Sequence, residues 1–365
     1  MSFRPPVRDD LAELPGYHSP QIDVTHRLNT NESPEPPPPG FQQAVAEQVA
    51  ALDWNRYPDR SASMLRERLA EHHHADNPAI GADNVFVANG SNEVLQTILL
   101  AWGGPGRSVL TFEPTYAMHG QIARVTGTRV VEVERLDDFT IDADSAIATI
   151  EAEKPIVTFL CSPNNPTGLI EPVELVERVL ETVRPFGLLV VDEAYAQFST
   201  WSALSMFDED APLIVTRTFS KTWAMAAARL GYLVAPAWVT ERLHTAILPY
   251  HLDAVSQIAG TTALDFEDEM HTRVARLVEQ RGAIQAGLAD LGVEYWPSNS
   301  NFVLFRPPGS GADIWQQLVD AGVLIRNCAT WPRLDGCLRI TIGSAEENAA
   351  FLEALAAILD TSNSA

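Results

Sequence analysis

The sequence predicts an α/β protein in which a large, doubly wound domain with a mostly parallel sheet is joined to a smaller α+β domain. Two runs of strand length, residues 155–160 and 187–191, are apolar throughout, as expected of parallel strands that are covered on both faces. A segment with helical spacing of apolar residues, 173–180, lies between them. Strands that alternate with helices in this way are typical of a doubly wound sheet.

The other elements follow from local patterns. The spacing of apolar residues predicts helices over residues 41–52, 63–72, 92–102, 268–291, 314–320 and 349–359. Short β-favouring runs predict strands over residues 85–88, 109–112, 129–133, 213–215, 302–305 and 338–342. An alanine-rich helical turn is expected at residues 224–228.

The same pass along the chain gives the expected domain organisation. Residues 1–40 are irregular and proline-rich, so this arm must lie along another part of the protein or be mobile. We expect residues 1–60 to form the arm and the first part of the small domain, residues 61–284 the large domain, and residues 285–365 the rest of the small domain. The long helix over 268–291 would connect the two.

Composition excludes several classes of protein. The formal net charge is −23, which argues against binding to the phosphate backbone of nucleic acids. The three cysteines show no CxxC spacing, and neither a signal core nor a membrane span is seen. We therefore expect a cytoplasmic protein with no membrane partner. The three histidines at 72–74 point in different directions on a helix, so we expect a solvated helix end and no metal site.

Polar residues stand at the ends of several predicted strands, where α/β proteins build ligand sites. Lys221 follows the strand at 213–215, and Asp192 ends the apolar run at 187–191. Asn165 lies in the string Ser-Pro-Asn-Asn-Pro-Thr-Gly at 162–168, and Tyr195 in Asp-Glu-Ala-Tyr at 192–195. Each of these residues alone has an ordinary structural explanation, such as a turn or a strand cap. Their combination favours a site.

This combination suits pyridoxal 5′-phosphate (PLP), which needs an amine for its aldehyde, an acid for its ring nitrogen, donors for its phenolate and an anion site for its phosphate. Lys221 is the candidate amine and proton shuttle, Asp192 the buried acid, and Tyr195 and Asn165 the phenolate partners. The helix after Gly90 presents unpaired N–H groups for the phosphate. The other candidate cofactor ligands are Ser91, Asn92, Tyr116, Ser220 and Arg229, the last expected about two helical turns after Lys221.

With these motifs, and with others such as Leu-Asn-Thr-Asn-Glu at 28–32 and Leu-Arg-Ile-Thr-Ile-Gly at 338–343, the chain resembles the histidinol-phosphate aminotransferase family of fold-type I, PLP-dependent enzymes. The resemblance implies that Arg339 and Arg326 bind the anionic group of the substrate, and that Tyr17 and Asn31 lie on an arm that covers it. It also implies that Tyr57 reaches the cofactor site of the neighbouring subunit of a homodimer.

The implied reaction is transamination of L-histidinol phosphate with 2-oxoglutarate, which gives imidazole acetol phosphate and L-glutamate. Three alternatives stay open on the residues alone. One is an aminotransferase for phenylalanine or tyrosine, in which Arg339 would bind a carboxylate. The second is a threonine-phosphate decarboxylase, and the third a non-catalytic regulator that senses PLP. The last is disfavoured because residues 1–40 are too short and proline-rich for a DNA-binding domain.

Overall fold

The computed structural model describes residues 4–12, 16 and 20–363, which form two sheets flanked by helices. The strands are β1 (His26–Leu28), β2 (Val85–Ala88), β3 (Ser108–Glu113), β4 (Arg129–Glu134), β5 (Val157–Cys161), β6 (Leu188–Asp192), β7 (Leu213–Thr218), β8 (Gly231–Val234), β9 (Glu294–Tyr295), β10 (Phe302–Arg306), β11 (Val323–Asn327) and β12 (Leu338–Thr341).

Twelve α-helices are found in the described part of the chain. They are α1 (Asp9–Ala12), α2 (Pro39–Ala50), α3 (Ser63–His72), α4 (Ser91–Trp102), α5 (Met118–Val125), α6 (Ala143–Glu153), α7 (Val173–Val183), α8 (Ala237–Ala246), α9 (Ala254–Ala263), α10 (Glu267–Asp290), α11 (Gly311–Asp320) and α12 (Ala345–Asn363). Within the residues that are described, no helix has the length and apolar character needed to cross a membrane.

The large sheet has seven strands in the order β2-β8-β7-β6-β5-β3-β4. Neighbouring strands from β7 to β4 are parallel, and β8, which lies between β2 and β7, runs in the opposite direction to the other strands of this sheet. Along β6, Leu189 and Val191 pack into one hydrophobic cluster, whereas Leu188 and Val190 pack into another on the opposite face. Burial on both faces explains why the apolar run does not alternate. The predicted fold class, with a mostly parallel sheet, is confirmed.

The small sheet joins the two ends of the chain. Its order is β1-β11-β12-β10-β9, and β1 pairs in parallel with β11. Sequence patterns did not predict β1, which has three residues and is too short to show periodicity. Helix α10 continues without a break through residue 285. The division at residues 60 and 284 therefore stays a prediction.

The segment that follows Lys221 differs from the expected alanine-rich helical turn. Only Ala226–Ala228 form a short 3-10 turn, and Ala224 and Arg229 have positive φ angles of 55° and 49°. Left-handed residues cannot continue a right-handed helix. The expectation that two helical turns separate Lys221 from Arg229 is therefore wrong, although both residues border the same cavity.

The histidines at 72–74 also differ from the expected solvated helix end. His73 is completely buried, with Nδ1 2.7 Å from Asp76 Oδ2 and Nε2 2.8 Å from the Tyr232 hydroxyl. A buried imidazole needs partners for both ring nitrogens, and these two partners satisfy it. The expectation of solvation was wrong because Tyr232 is 159 residues away in sequence.

Candidate active site

A cavity of about 690 Å³ lies between the carboxyl ends of β5, β6 and β7 and the small sheet. Its lining brings together twelve of the residues selected from the sequence: Asn31, Ser91, Asn92, Tyr116, Asn165, Asp192, Tyr195, Ser220, Lys221, Arg229, Arg326 and Arg339. These residues come from ten separate stretches of the chain. The fold therefore assembles them at the edge where parallel strands end, as expected for this class of sheet.

Lys221 lies in the loop that follows β7. Its Nζ donates a hydrogen bond to the backbone oxygen of Thr30 at 3.1 Å. The pKa of the Lys221 amine is lowered from 10.5 to about 7, mainly by burial and also by the nearby charges of Arg339 and Arg229, against the opposing effect of Glu32. A substantial fraction of the amine is thus uncharged near neutral pH, which is the form that can act as a nucleophile or accept a proton.

Asp192, the last residue of β6, is 2% exposed. Its Oδ1 accepts hydrogen bonds from the Thr216 hydroxyl at 3.2 Å and the Ala194 amide at 3.3 Å. Its Oδ2 lies 2.9 Å from Nε2 of the fully buried His119. A buried carboxyl group needs hydrogen-bond partners, and these three groups supply them. Asp192 was expected to be buried, and it is.

His119 is a functional candidate that the sequence did not reveal. It lies on α5, and its ring stacks on Phe159 with 4.8 Å between ring centroids. Within the described part of the chain, its Nδ1 has no hydrogen-bond partner. An isolated histidine on a short helix gives no pattern, and Asp192 lies 73 residues away. Only the tertiary structure relates the two.

Tyr195 and two asparagines form one side of the cavity. The Tyr195 hydroxyl accepts a hydrogen bond from Asn31 Nδ2 at 2.9 Å. Burial raises the pKa of Tyr195 to about 12, so this hydroxyl keeps its proton and can donate it to an anionic oxygen. The side-chain oxygen of Asn165 accepts a hydrogen bond from Arg339 at 2.5 Å, which leaves the Asn165 amide as a potential donor toward the cavity.

The amino end of α4 forms a cup for an anion. Gly90 precedes the helix with φ of +82°, and a Cβ atom there would lie 2.7 Å from Nη2 of Arg229. Only glycine both adopts this φ without strain and lets the guanidinium approach. Glu93 points away from the cup, because its carboxylate accepts hydrogen bonds from the backbone and side chain of Asn89 at 2.6 and 2.7 Å. The positive end of the helix dipole therefore faces the cavity.

The small sheet contributes the two arginines. Arg326 on β11 is paired in register with Arg339 on the antiparallel strand β12, so both side chains project from the same face. Arg339 donates to Asn165 and to the backbone oxygen of Asn29 at 3.1 Å, and its guanidinium lies 5.0 Å from the ring centroid of Phe302. This arrangement places two permanent cations on one wall.

Two of the selected residues that the structure describes do not line this cavity. Gly90 lies behind it, next to Arg229. Tyr57 is 80% exposed and stacks on Tyr250, with ring centroids 4.5 Å apart, outside the cavity of its own chain. Tyr17 falls outside the residues that the structure describes.

Comparisons with known proteins agree with this geometry. Residues 25–355 match the family described as aminotransferase class I and II. A protein from Thermobifida fusca (strain YX), named histidinol-phosphate aminotransferase, is 46% identical over 357 residues, which are 96% of this chain and 94% of that protein.

The structural comparisons give the same fold. A solved structure from Erwinia carotovora atroseptica SCRI1043 has a TM-score of 0.84 at 27% identity, covering 94% of this chain and 99% of the other. The histidinol-phosphate aminotransferase from Sinorhizobium meliloti, solved in complex with pyridoxal-5′-phosphate, has a TM-score of 0.84 at 24% identity, covering 93% of this chain and 92% of the other. The chain belongs to the class I and II aminotransferase family.

Proposed function

We propose that this protein is a PLP-dependent aminotransferase of histidine biosynthesis. It transfers the amino group of L-histidinol phosphate to 2-oxoglutarate, giving imidazole acetol phosphate and L-glutamate. The observation that carries the proposal is one cavity that combines Lys221, an amine with a pKa of about 7, with Arg326 and Arg339 on the facing wall. The full-length relative that carries this enzyme name supports it.

The residues of the cavity fit PLP. Lys221 supplies an amine for the aldehyde, and Asp192 a buried carboxylate for the ring nitrogen. The cup at the amino end of α4, with Ser220 and Arg229, supplies N–H, hydroxyl and guanidinium donors for the phosphate. The close approach of Arg229 to Gly90, which a Cβ atom would block, is the feature expected of such a cup. Tyr116, whose hydroxyl donates to Asn92 Oδ1 at 3.0 Å, would cover the ring of the cofactor.

When bound, PLP supplies an electron sink that makes the hydrogen on the amino-bearing carbon of the substrate acidic. Lys221 would hold the aldehyde carbon of the cofactor through its Nζ. Once the substrate amine had taken that place, the freed Lys221 Nζ would accept the proton from the amino-bearing carbon of the substrate and later return it. Its pKa of about 7 suits a group that must both accept and return a proton at neutral pH.

Asp192 and Tyr195 act on the electronics of the ring. Asp192, oriented by His119 and Thr216, would hold the protonated ring nitrogen and so favour electron withdrawal. Tyr195, which burial keeps protonated, would donate to the phenolate oxygen together with the Asn165 amide. These three residues bind and orient, whereas Lys221 carries the proton.

Arg326 and Arg339 bind the anionic group of the substrate. A phosphate dianion has enough acceptors for two guanidinium groups, each of which can donate two parallel bonds. Asn31 lies beside Tyr195 on this side of the cavity, and we include it and Tyr17 among the residues that enclose the substrate. The same arginines would bind a carboxylate of 2-oxoglutarate in the second half of the reaction.

We further propose that the enzyme is a homodimer in which Tyr57 completes the site of the neighbouring subunit. Tyr57 and Tyr250 form an exposed aromatic pair, and Leu248 nearby in sequence is 77% exposed. An exposed apolar patch of this kind is typical of a protein interface. The cytoplasmic location expected from the sequence remains a prediction.

A comparison of half-reactions tests the proposed substrate. Histidinol phosphate or phenylalanine is added separately to the PLP-loaded protein without an oxo acid, and loss of the absorbance of the lysine-bound cofactor is followed. We expect the second-order rate constant for histidinol phosphate to be much larger than that for phenylalanine. An equal or faster reaction of phenylalanine would indicate an aromatic amino-acid aminotransferase. Release of CO₂ from threonine phosphate without an oxo acid would indicate the decarboxylase. A protein that takes up no PLP would contradict all three of these functions.

A further inference from the structure

Trp331 lines the cavity, although it belongs to none of the motifs that identified the site. It lies in the loop between β11 and β12. The centre of the Arg326 guanidinium is 5.3 Å from the centroid of its indole ring, which is within the range of a cation–π interaction, and tryptophan is the most favourable partner for one. The aromatic side chain thus contacts one of the two arginines proposed to bind substrate.

Backbone hydrogen bonds and packing hold the loop that carries Trp331 in place. The Cys328 amide donates to the Cys337 oxygen at 3.1 Å, and the Trp331 amide to the Cys328 oxygen at 2.9 Å. The ring itself packs against a buried cluster that includes Leu334 and Trp296. Because these hydrogen bonds and this packing hold the Trp331 indole in a defined position, the indole can orient the Arg326 guanidinium that contacts it.

The same loop is tied to the large sheet. Arg333 makes ion pairs with Glu134, the last residue of β4, at 2.8 Å and with Asp137 at 3.2 Å. The loop that carries Trp331 therefore contacts the edge of the large sheet as well as the small sheet.

Arg326 lies directly opposite Arg339, which is on β12. Like charges at directly opposed positions of two strands repel, which favours conformations in which the two guanidinium groups separate. Arg339 is oriented by hydrogen bonds to Asn165 and Asn29. The indole face of Trp331 contributes to the orientation of Arg326, and a guanidinium that lies over an aromatic face can still donate hydrogen bonds from its edge.

We propose that Trp331 is a positioning residue that holds Arg326 in the orientation in which it binds the phosphate group of the substrate. This inference rests on the proposed function and deepens it, since it names a residue that sets preference for a phosphorylated amine. Trp331 acts through Arg326 and takes no part in proton transfer, so its effect should fall on KM and leave kcat nearly unchanged.

The test compares Trp331→Leu, which keeps apolar bulk but removes the aromatic face, with Trp331→Phe, which keeps a face. Both are assayed as PLP-loaded proteins with histidinol phosphate and with histidinol, which lacks the phosphate. For Trp331→Leu we expect a KM for histidinol phosphate about 5–10-fold higher, equivalent to about 1–1.4 kcal/mol, with kcat within about twofold. Trp331→Phe should stay within about threefold of the parent KM.

Two controls separate this role from a structural one. Trp238 is a partly exposed tryptophan outside this cavity, and Trp238→Leu should leave both KM values unchanged. In an Arg326→Leu background, Trp331→Leu should raise KM no further, because a residue that acts through Arg326 has no effect once Arg326 is absent. With histidinol as substrate, all the Trp331 variants should match the parent in kcat/KM.

A parent-like KM for Trp331→Leu, an equal loss with histidinol, or a full additional loss in the Arg326→Leu background would overturn the inference. If Trp331→Leu does not retain PLP absorbance, Trp331→Met replaces it in the same comparison with Trp331→Phe. The parent enzyme tests the proposed function separately, because a parent that does not prefer histidinol phosphate to histidinol contradicts that function whatever the variants do.

Discussion

The floor of the cavity and its small-sheet wall are built differently. On the floor, Asp192 and Tyr195 are buried at the ends of parallel strands or just beyond them, and each has side-chain hydrogen-bond partners. On the wall, Arg326 and Arg339 are like charges on adjacent antiparallel strands, oriented by aromatic rings and neutral oxygens. The floor is suited to hold one cofactor in a fixed geometry, and the wall to receive an anion. Changes to the floor should therefore alter chemistry, and changes to the wall should alter substrate choice.

The largest effect is expected at Lys221 on the floor. Lys221→Ala should lower transamination by at least about 10³-fold, since it removes both the covalent anchor and the proton carrier. The chain has only two lysines, Lys154 and Lys221, so the exposed Lys154 offers a matched control. Lys154→Ala should keep parent activity, and borohydride reduction of the loaded parent should label the peptide of Lys221 alone. Turnover of Lys221→Ala at the parent rate would contradict the assignment.

A smaller effect is expected at Arg339 on the wall. Arg339→Ala should lower kcat/KM for histidinol phosphate by about 100-fold, because it removes charge-assisted hydrogen bonds to the substrate anion. The absorbance of the lysine-bound cofactor should stay intact. Arg306 on the neighbouring strand β10 pairs with Glu294 outside the cavity, and Arg306→Ala should behave as the parent does. Loss of bound PLP in Arg339→Ala would show that a wall residue is also needed for cofactor binding, and would contradict the division between floor and wall.

His119 tests whether the floor depends on residues that do not touch the reacting atoms. His119→Phe keeps the aromatic contact with Phe159 but removes the hydrogen bond to Asp192. Because a hydrogen bond to a charged group contributes at least about 1.5 kcal/mol, we expect kcat to fall about tenfold with little change in KM. His74→Phe, at an exposed histidine, is the control. A change in KM without a change in kcat would mean that His119 affects substrate binding, as the wall residues do, and would contradict this prediction.

The pH dependence of cofactor uptake should give a change no larger than that expected for His119→Phe. The pKa of Lys221 is lowered to about 7, so the protein without cofactor carries a mostly protonated amine below pH 7 and a mostly neutral one above it. The rate of PLP uptake should rise about tenfold between pH 6 and 9 and level off above pH 8, as the neutral fraction does. A rate that still rises steeply at pH 10, near the ordinary lysine value, would contradict this. The measurement is rapid-mixing absorbance.

The sequence predicted that Asp192 and Lys221 lie at or just beyond the ends of strands, because each follows a continuous apolar run whose burial and direction are local properties. It did not predict His119, His73 or Trp331. Each of these is a single residue outside a periodic pattern, and its role depends on partners that only tertiary structure brings near. The proximity of Lys221 and Arg229 was predicted for the wrong reason, since positive φ angles at Ala224 and Arg229 shape a loop and not a helix.

The pairing of the two chain ends in the small sheet has a consequence for the order of folding. The hydrogen bond from the Asn31 amide to Thr341 joins residues 310 apart in sequence, and Lys221 donates to Thr30 in the same amino-terminal segment. Contacts of such long range form only after the intervening chain has been made and largely ordered. The cavity is therefore complete only when residue 341 has left the ribosome, and cofactor binding reports on the folding of the whole chain.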